Sequence, residues 1–444
     1  MNHVEKPGKD QSSLALILRA FKYKNYRLFF TGQGISLIGS WMQTIASSWL
    51  VYRLTQSPVL LGVVGFSSQI PAFLLAPFAG VLLDRWKRRT VLIVTQSLMM
   101  LQAFLLAFLT ITGIIQVWHI IVLSMLMGII TAFDMPGRQT FVHDIIEDKN
   151  DLGNAIALNS SIFNGARIIG PSIAGLIIER MGEGTCFLIN GISFVAVIAA
   201  LMAMRVNQRR NGGERLPLLQ EFSQGLSYTF GFPPIRAILM LLFFTSMMGI
   251  PAMVLMPVFS SQILNGGAQT MGFLMGATGI GAIVGALYLA SRQSIVGLEK
   301  LIPKAALILG GGLILFSLSR NLYLSFVLVL LTGFGMMVQM ASSNTFIQTV
   351  IDEDKRGRVL SFYTTTFMGA APLGSLMAGY VADMIGAPKT VMMGGLFCCI
   401  AALIYLRYLP SFQATVYPLY VKLGLIHEGS GPSMIAQESV TASK

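Results

Sequence analysis

Apolar residues run through this chain in stretches of about twenty, separated by short polar turns. Strict alternation, the mark of a half-buried strand, is absent from these stretches. Twenty residues rising about 1.5 Å each match a bilayer core of roughly 30 Å, whereas a membrane barrel would show alternating segments of about ten residues. The pattern predicts twelve spans, over residues 27–53, 61–83, 90–112, 117–136, 152–178, 184–204, 236–260, 270–291, 302–319, 322–348, 358–382 and 390–408. An all-α integral membrane protein of twelve transmembrane helices is expected.

The second half of the pattern repeats the first. TFVHDIIEDK from Thr140 returns as TFIQTVIDED from Thr345 at an offset of 205, Gly80 corresponds to Gly285 at the same offset, and Gly170–Gly175 returns as Gly374–Gly379 at 204. Five segments follow: an arm over 1–26, a six-helix half over 27–204, a linker over 205–235, a second half over 236–408 and a tail over 409–444 that reads as mobile from Pro410 on. Parallel six-span repeats, related by an axis along the membrane normal, are a transporter architecture with its substrate site between the halves.

Composition agrees: 54% of residues are hydrophobic and 11% charged, against about 25% charged in soluble domains. The net charge of +12 is explained by topology and requires no nucleic acid. With both termini on one side, 26 of the 31 lysines and arginines lie in that side's segments, four lie opposite, and Arg167 lies within a span. Positive-inside bias therefore places both termini in the cytoplasm. Cys186, Cys398 and Cys399 fall in apolar spans and suggest neither a disulfide framework nor a metal site. No cofactor is implied.

The turn between spans 2 and 3 reads GVLLDRWKRR, and Gly80, Leu82, Asp84, Arg85, Arg88 and Arg89 match the loop signature of the major facilitator superfamily. Lys87 stands where that signature has glycine. Together with AFDMPGRQTF from Ala132, NAIALNSSIFNGARIIGPSIAG from Asn154 and RGRVLS from Arg356, the chain resembles the bacterial enterobactin-exporter and macrolide-efflux branch of that superfamily. The resemblance implies the major facilitator fold, a multi-pass protein of the bacterial inner membrane acting as a monomer, and a cavity lined by helices 1, 4, 7 and 10. It also implies export, because Gly170, Pro171 and Gly175 resemble the superfamily's antiporter signature.

Several residues are candidates for the working parts. Asp84, at the cytoplasmic end of span 2, could latch the halves by meeting the N-terminus of helix 11, an interaction worth about 0.3–2 kcal/mol. Gly80, Arg85, Arg88 and Arg89 complete that latch, which has Leu289 in place of the acid in the second half. Gln33, Ser36, Ser40, Gln43 and Ser47 form one polar stripe along span 1, and Ser160, Asn164 and Arg167 another along span 5. Gln339 and Asn344 mark span 10. Such residues line a cavity or serve as interhelical hydrogen-bond glue worth about 0.6 kcal/mol each.

Arg167 stands apart. A cation near midplane costs at least about 2.5–3.5 kcal/mol, so a hydrated cavity and an anionic or acceptor-rich substrate are expected beside it. Asp134 is the candidate proton carrier, with Arg138 one helical turn away as the partner of an ordinary ion pair. The expected function is export of amphipathic small molecules, siderophore-like or drug-like, by alternating access with proton antiport. A lysophospholipid flippase is the alternative, favoured by an apolar portal to the lipid. A membrane enzyme or sensor is disfavoured because no catalytic carboxylate pair, metal cluster or phosphate loop stands in the sequence.

Overall fold

The computed structural model describes residues 18–206, 231–249, 251–292, 294–351 and 353–426. Among these every regular element is helical. A single 3-10 turn, Arg19–Lys22, leads into α1 (Lys24–Thr55), α2 (Pro58–Arg85), α3 (Arg88–Ile111), α4 (Val117–Ile145), α5 (Lys149–Met181) and α6 (Glu183–Ala203). After the linker come α7 (Pro233–Gly249), α8 (Ala268–Ala290), α9 (Leu298–Leu318), α10 (Leu322–Val350), α11 (Glu353–Ile385) and α12 (Ala387–Lys422). Among the described residues ten helices are long and apolar enough to cross a membrane. The other two, α1 and α11, have ample length at 32 and 33 residues, but polar side chains dilute their hydropathy.

Local chemistry sets the breaks. Ser57 accepts a hydrogen bond from the Leu60 amide with Pro58 in the first turn of α2, Asn321 caps α10 in the same way, and Asp148 caps α5. Gly182 and Gly386, both at positive φ (80° and 89°), turn α5 into α6 and α11 into α12 within one residue. They are 204 residues apart, so the repeat extends to its turns.

Two elements depart from the predicted spans. The seventh is not regular to its end: residue 250 lies outside the described residues, and after Pro251–Val254 come Met256–Val258 and a π-turn over Phe259–Ile263, where Pro257 brings no amide hydrogen to the ladder. The twelfth, expected to end at 408, runs on to Lys422 despite Pro410 and Pro418, with Phe412, Val416 and Tyr420 buried. The mobile tail expected from Pro410 is thus a packed helix as far as Lys422, held by that apolar face; residues 427–444 lie outside the described residues.

Packing repeats as the sequence does. In the first half α1 packs on α5 and α6, α2 on α4, and α3 on α4 and α6; in the second α7 packs on α11 and α12, α8 on α10, and α9 on α10 and α12. The halves meet along two seams, α5 with α8 and α11 with α2, which are equivalent under the repeat.

The core is one-sided. At the end where α2 and α8 begin, buried residues from both halves form a single cluster, including Leu50, Leu61, Ile178, Phe259, Met271, Phe316 and Ala382. At the other end, which carries Lys22, Arg85, Arg88, Arg236 and Lys300, there are two separate cores. One is built from Tyr26, Leu92, Phe141 and Phe194 of the first half, the other from Ile238, Ile302, Phe346 and Tyr405 of the second. Among the described residues the apolar core is shared at one end, the sealed end, and divided at this basic end.

Candidate functional site

The first half holds a buried charged network on the cleft side of the shared core. Asp134 of α4 has no solvent exposure. Its Oδ1 accepts hydrogen bonds from Thr95 Oγ1 at 2.9 Å and Gln96 Nε2 at 2.7 Å, both on α3. Its Oδ2 lies 2.7 Å from Arg138 Nε, and Arg138 also donates to Gln33 Oε1 of α1 at 3.1 Å. The expected ion pair therefore forms and is shared by three helices. Arg138 keeps 25% of its side chain exposed while Asp134 is sealed, so the cation is the accessible member. Gln33 Nε2 is buried without a partner, a free donor beside that cation.

The α1 stripe divides. Gln33 belongs to the charged network, whereas Gln43 is turned into the helix bundle of its own half, donating to Gln102 Oε1 at 2.9 Å and accepting from Asn190 at 2.8 Å. Through these two amide partners Gln43 ties α1, α3 and α6 together. Gln339 is likewise buried and donates to Thr245 Oγ1 of α7 at 2.8 Å. Ser40 bonds back to the Ser36 carbonyl at 2.9 Å, and Asn344 accepts from Gln348 one turn on.

Arg167 sits where α1, α5 and α8 meet. Its guanidinium carbon lies 5.9 Å from the centre of the Trp41 ring, which in turn meets Phe163 edge-on. Its backbone carbonyl approaches α8 at Gly279. No carboxylate pairs with Arg167 among the described residues. One and two turns toward the basic end, Asn164 donates to the Ser160 carbonyl at 2.9 Å and Ser160 to that of Ile156 at 3.0 Å. The three form a half-buried to exposed polar file on α5, as the spacing predicted.

In the turn GVLLDRWKRR the partners of two arginines are described. Arg88 pairs with Asp144 at the end of α4 at 2.8 Å, and Arg89 donates to the Leu201 and Met202 carbonyls at 2.7 and 2.8 Å, capping the C-terminus of α6. Both clasp the first half to itself rather than to the second, because those anionic and carbonyl partners lie within reach of α3. Arg85 is exposed. The Asp84 latch and Gly80 fall outside the described side chains.

The antiporter-like residues build a seam. A methyl group at Gly170 would lie 2.5 Å from Trp41 Cβ, one at Gly175 would lie 2.8 Å from the Ala268 carbonyl of α8, and one at Gly272 would collide with the Pro171 carbonyl. Gly62 of α2 makes the equivalent approach to Ser375 and Gly379 of α11. Small residues thus let the halves close backbone to backbone at the sealed end. One residue the motif reading passed over joins them: a methyl at Gly267, the N-cap of α8, would lie 2.5 Å from Glu179 Oε2 at the end of α5. A carboxylate of one half thereby faces the positive end of a helix in the other. The offset of 204 that pairs Gly175 with Gly379 also pairs Glu179 with Asp383, and that acid-at-the-turn repeat was the legible signal.

Comparison with known proteins bears on the whole assembly. Residues 16–422 match the family model described as transmembrane secretion effector. The staphyloferrin A transporter of Staphylococcus aureus is 28% identical over 85% of this chain and 95% of its own length. The multidrug efflux pump Tap of Mycolicibacterium fortuitum is 24% identical (80% and 88%), and macrolide efflux protein A of Streptococcus pyogenes 22% (86% and 96%). Among solved structures, a bacterial homologue of the human lysosomal transporter Spinster, inward-facing and unoccupied, superposes with a TM-score of 0.69 over 90% of this chain and 98% of that one, at 12% identity. That likeness shows the fold. With its repeated six-helix halves, its small-residue seams and a family match over nearly its full length, this chain belongs to the transmembrane secretion effector family of major facilitator superfamily transporters.

Proposed function

We propose that the protein exports amphipathic small molecules by alternating access, in exchange for protons, across the bacterial inner membrane. In this reading all twelve helices span the bilayer, both termini are cytoplasmic, and one monomer is the working unit. The observation that carries it is the one-sided core: the described apolar residues of the two halves form one cluster at one end and two separate clusters at the basic end, where positive-inside bias puts the cytoplasm. The cleft then faces the compartment from which an exporter loads.

Arg167 and its file of Asn164 and Ser160 supply a cation and hydrogen-bonding groups for an anionic or acceptor-rich part of the substrate, with Trp41 and Phe163 meeting its apolar part. Asp134 and Arg138 supply the coupling. Asp134, paired with Arg138 in a sealed site, is the proposed proton carrier: the pair carries no proton while substrate moves outward and carries one on the return, so that the two cross in opposite directions. Staphyloferrin A transport, multidrug efflux and macrolide efflux, the functions of the relatives named above, support this substrate class.

Transport in proteoliposomes under an imposed pH gradient, screening siderophores, macrolides and lysolipids, tests the reading. Gradient-driven accumulation that falls at least tenfold in Arg167→Gln at unchanged protein level is expected. Transport indifferent to the gradient and to Arg167→Gln would contradict it.

A further inference from the structure

The second half carries an open groove. Between α7 and α12 lies a cavity of about 620 Å³, lined by Arg236, Met240 and Phe244 on one wall and Ile400, Ile404 and Tyr408 on the other. Met240, Ile400, Ile404 and Tyr408 are each at least half exposed, and an exposed apolar surface on a membrane protein faces acyl chains.

The repeat explains why the groove exists. In the first half, the crossing of α1 and α6 is closed by two glycines: a methyl at Gly32 would lie 2.9 Å from Val197 Cα, and one at Gly39 would lie 2.5 Å from Asn190 Oδ1. At the offset of 205 these positions hold Ala237 and Phe244, which keep α7 and α12 apart. Only the far end stays shut, where a methyl at Gly394 would lie 2.5 Å from the Met248 carbonyl. The groove therefore widens toward the basic end.

Its length and charge select an occupant. Pro233 to Phe244 spans about 17 Å at 1.5 Å per residue, roughly one leaflet of a 30 Å hydrocarbon core. At the wide end the exposed Arg236 guanidinium has no ion pair or hydrogen bond among the described residues, and Tyr408 brings an aromatic ring with a polar tip to the same wall. Basic pockets between helices on the cytoplasmic side hold anionic lipid headgroups, and one cation near the surface favours such a headgroup about fivefold.

We infer that this groove is a resident site for one anionic phospholipid of the cytoplasmic leaflet. Its acyl chain lies between Met240, Phe244, Ile400 and Ile404, and its phosphate meets Arg236. The leaflet assignment rests on the orientation proposed above; the site itself does not.

Native mass spectrometry of the purified full-length protein, titrated with phosphatidylglycerol and with phosphatidylcholine of the same chains, tests it. One retained phosphatidylglycerol, favoured about fivefold or more, is expected. Arg236→Gln should abolish the preference while a lipid is still retained, and Ile404→Trp, which fills the groove, should remove retention of either lipid. No preference in the parent protein, or a preference unchanged in Arg236→Gln, overturns the proposal. So does a disulfide between Met240→Cys and Leu218→Cys that forms under an added oxidant as readily with phosphatidylglycerol present as without it, which would show the linker occupying the groove. Labelling of Arg236→Cys by an impermeant maleimide in inside-out vesicles reads orientation separately, so a labelled right-side-out vesicle would refute the leaflet alone.

Discussion

If the seam between α5 and α8 is what closes the sealed end, adding one methyl group there should hold it open. Gly272→Ala would set its methyl against the Pro171 carbonyl and 3.0 Å from Gly175 Cα. Those are backbone atoms of a helix, so no side chain can swing aside to relieve the overlap. Overpacking of this kind costs about 1–3 kcal/mol. The gain of up to about 1 kcal/mol from replacing a helical glycine is common to both conformations and cancels from the equilibrium between them. At 1.4 kcal/mol per factor of ten, the open-to-closed ratio should rise about 5- to 150-fold.

The readout is the rate at which a membrane-impermeant thiol reagent modifies Ala268→Cys, whose parent residue is 2% exposed at the seam. The three native cysteines are replaced beforehand. Gly165→Ala on α5, whose methyl meets nothing within 4 Å, should leave the rate unchanged. Gly281→Ala, whose methyl meets the Leu330 carbonyl within the second half, should lower stability without changing the rate. A folded Gly272→Ala protein with a rate within twofold of its parent would refute the seam as the closing element.

Asp134→Asn should destabilise the protein by about 3–5 kcal/mol, because it strands Arg138 against a buried amide, and Asp134→Asn with Arg138→Gln should recover part of that in thermal unfolding. A double variant no more stable than the single one would contradict the pairing. Glu179→Gln should speed modification of Ala268→Cys by up to about 30-fold, since a carboxylate at a helix N-terminus contributes about 0.3–2 kcal/mol. An unchanged rate would remove Glu179 from the gate. Arg89→Gln should cost about 1–3 kcal/mol of stability through the lost cap on α6, yet leave that rate alone; a changed rate would restore Arg89 to the latch.

The helical frame was legible because hydrophobic length and the offset of 204–205 are strong signals along one dimension. The packing partner of a given polar side chain is not such a signal. Gln33 and Gln43 lie on one stripe of α1, yet the first meets a cation and the second two amides, since Gln102 and Asn190 come from other helices. Arg88 and Arg89 read as parts of a latch because their spacing matches a signature, while their partners on α4 and α6 are 56 and over 100 residues away. The extension of α12 was hidden by Pro410 and Pro418, whose helix-breaking tendency is outweighed by the burial of Phe412, Val416 and Tyr420. Thr95 and Gln96, two of three consecutive polar residues with Ser97 in an otherwise apolar stretch of α3, were the readable trace of the Asp134 site.

Two halves that exchange one closed end for the other must move paired distances at the two ends in opposite directions. Spin labels at Thr90→Cys and Ser291→Cys report the basic end, and labels at Thr112→Cys and Tyr323→Cys the sealed end, all four parent residues being exposed. In proteoliposomes, adding a transported compound should shorten the first distance and lengthen the second in the same fraction of molecules. Transport with both distances unchanged, or with both moving in the same direction, would contradict the account.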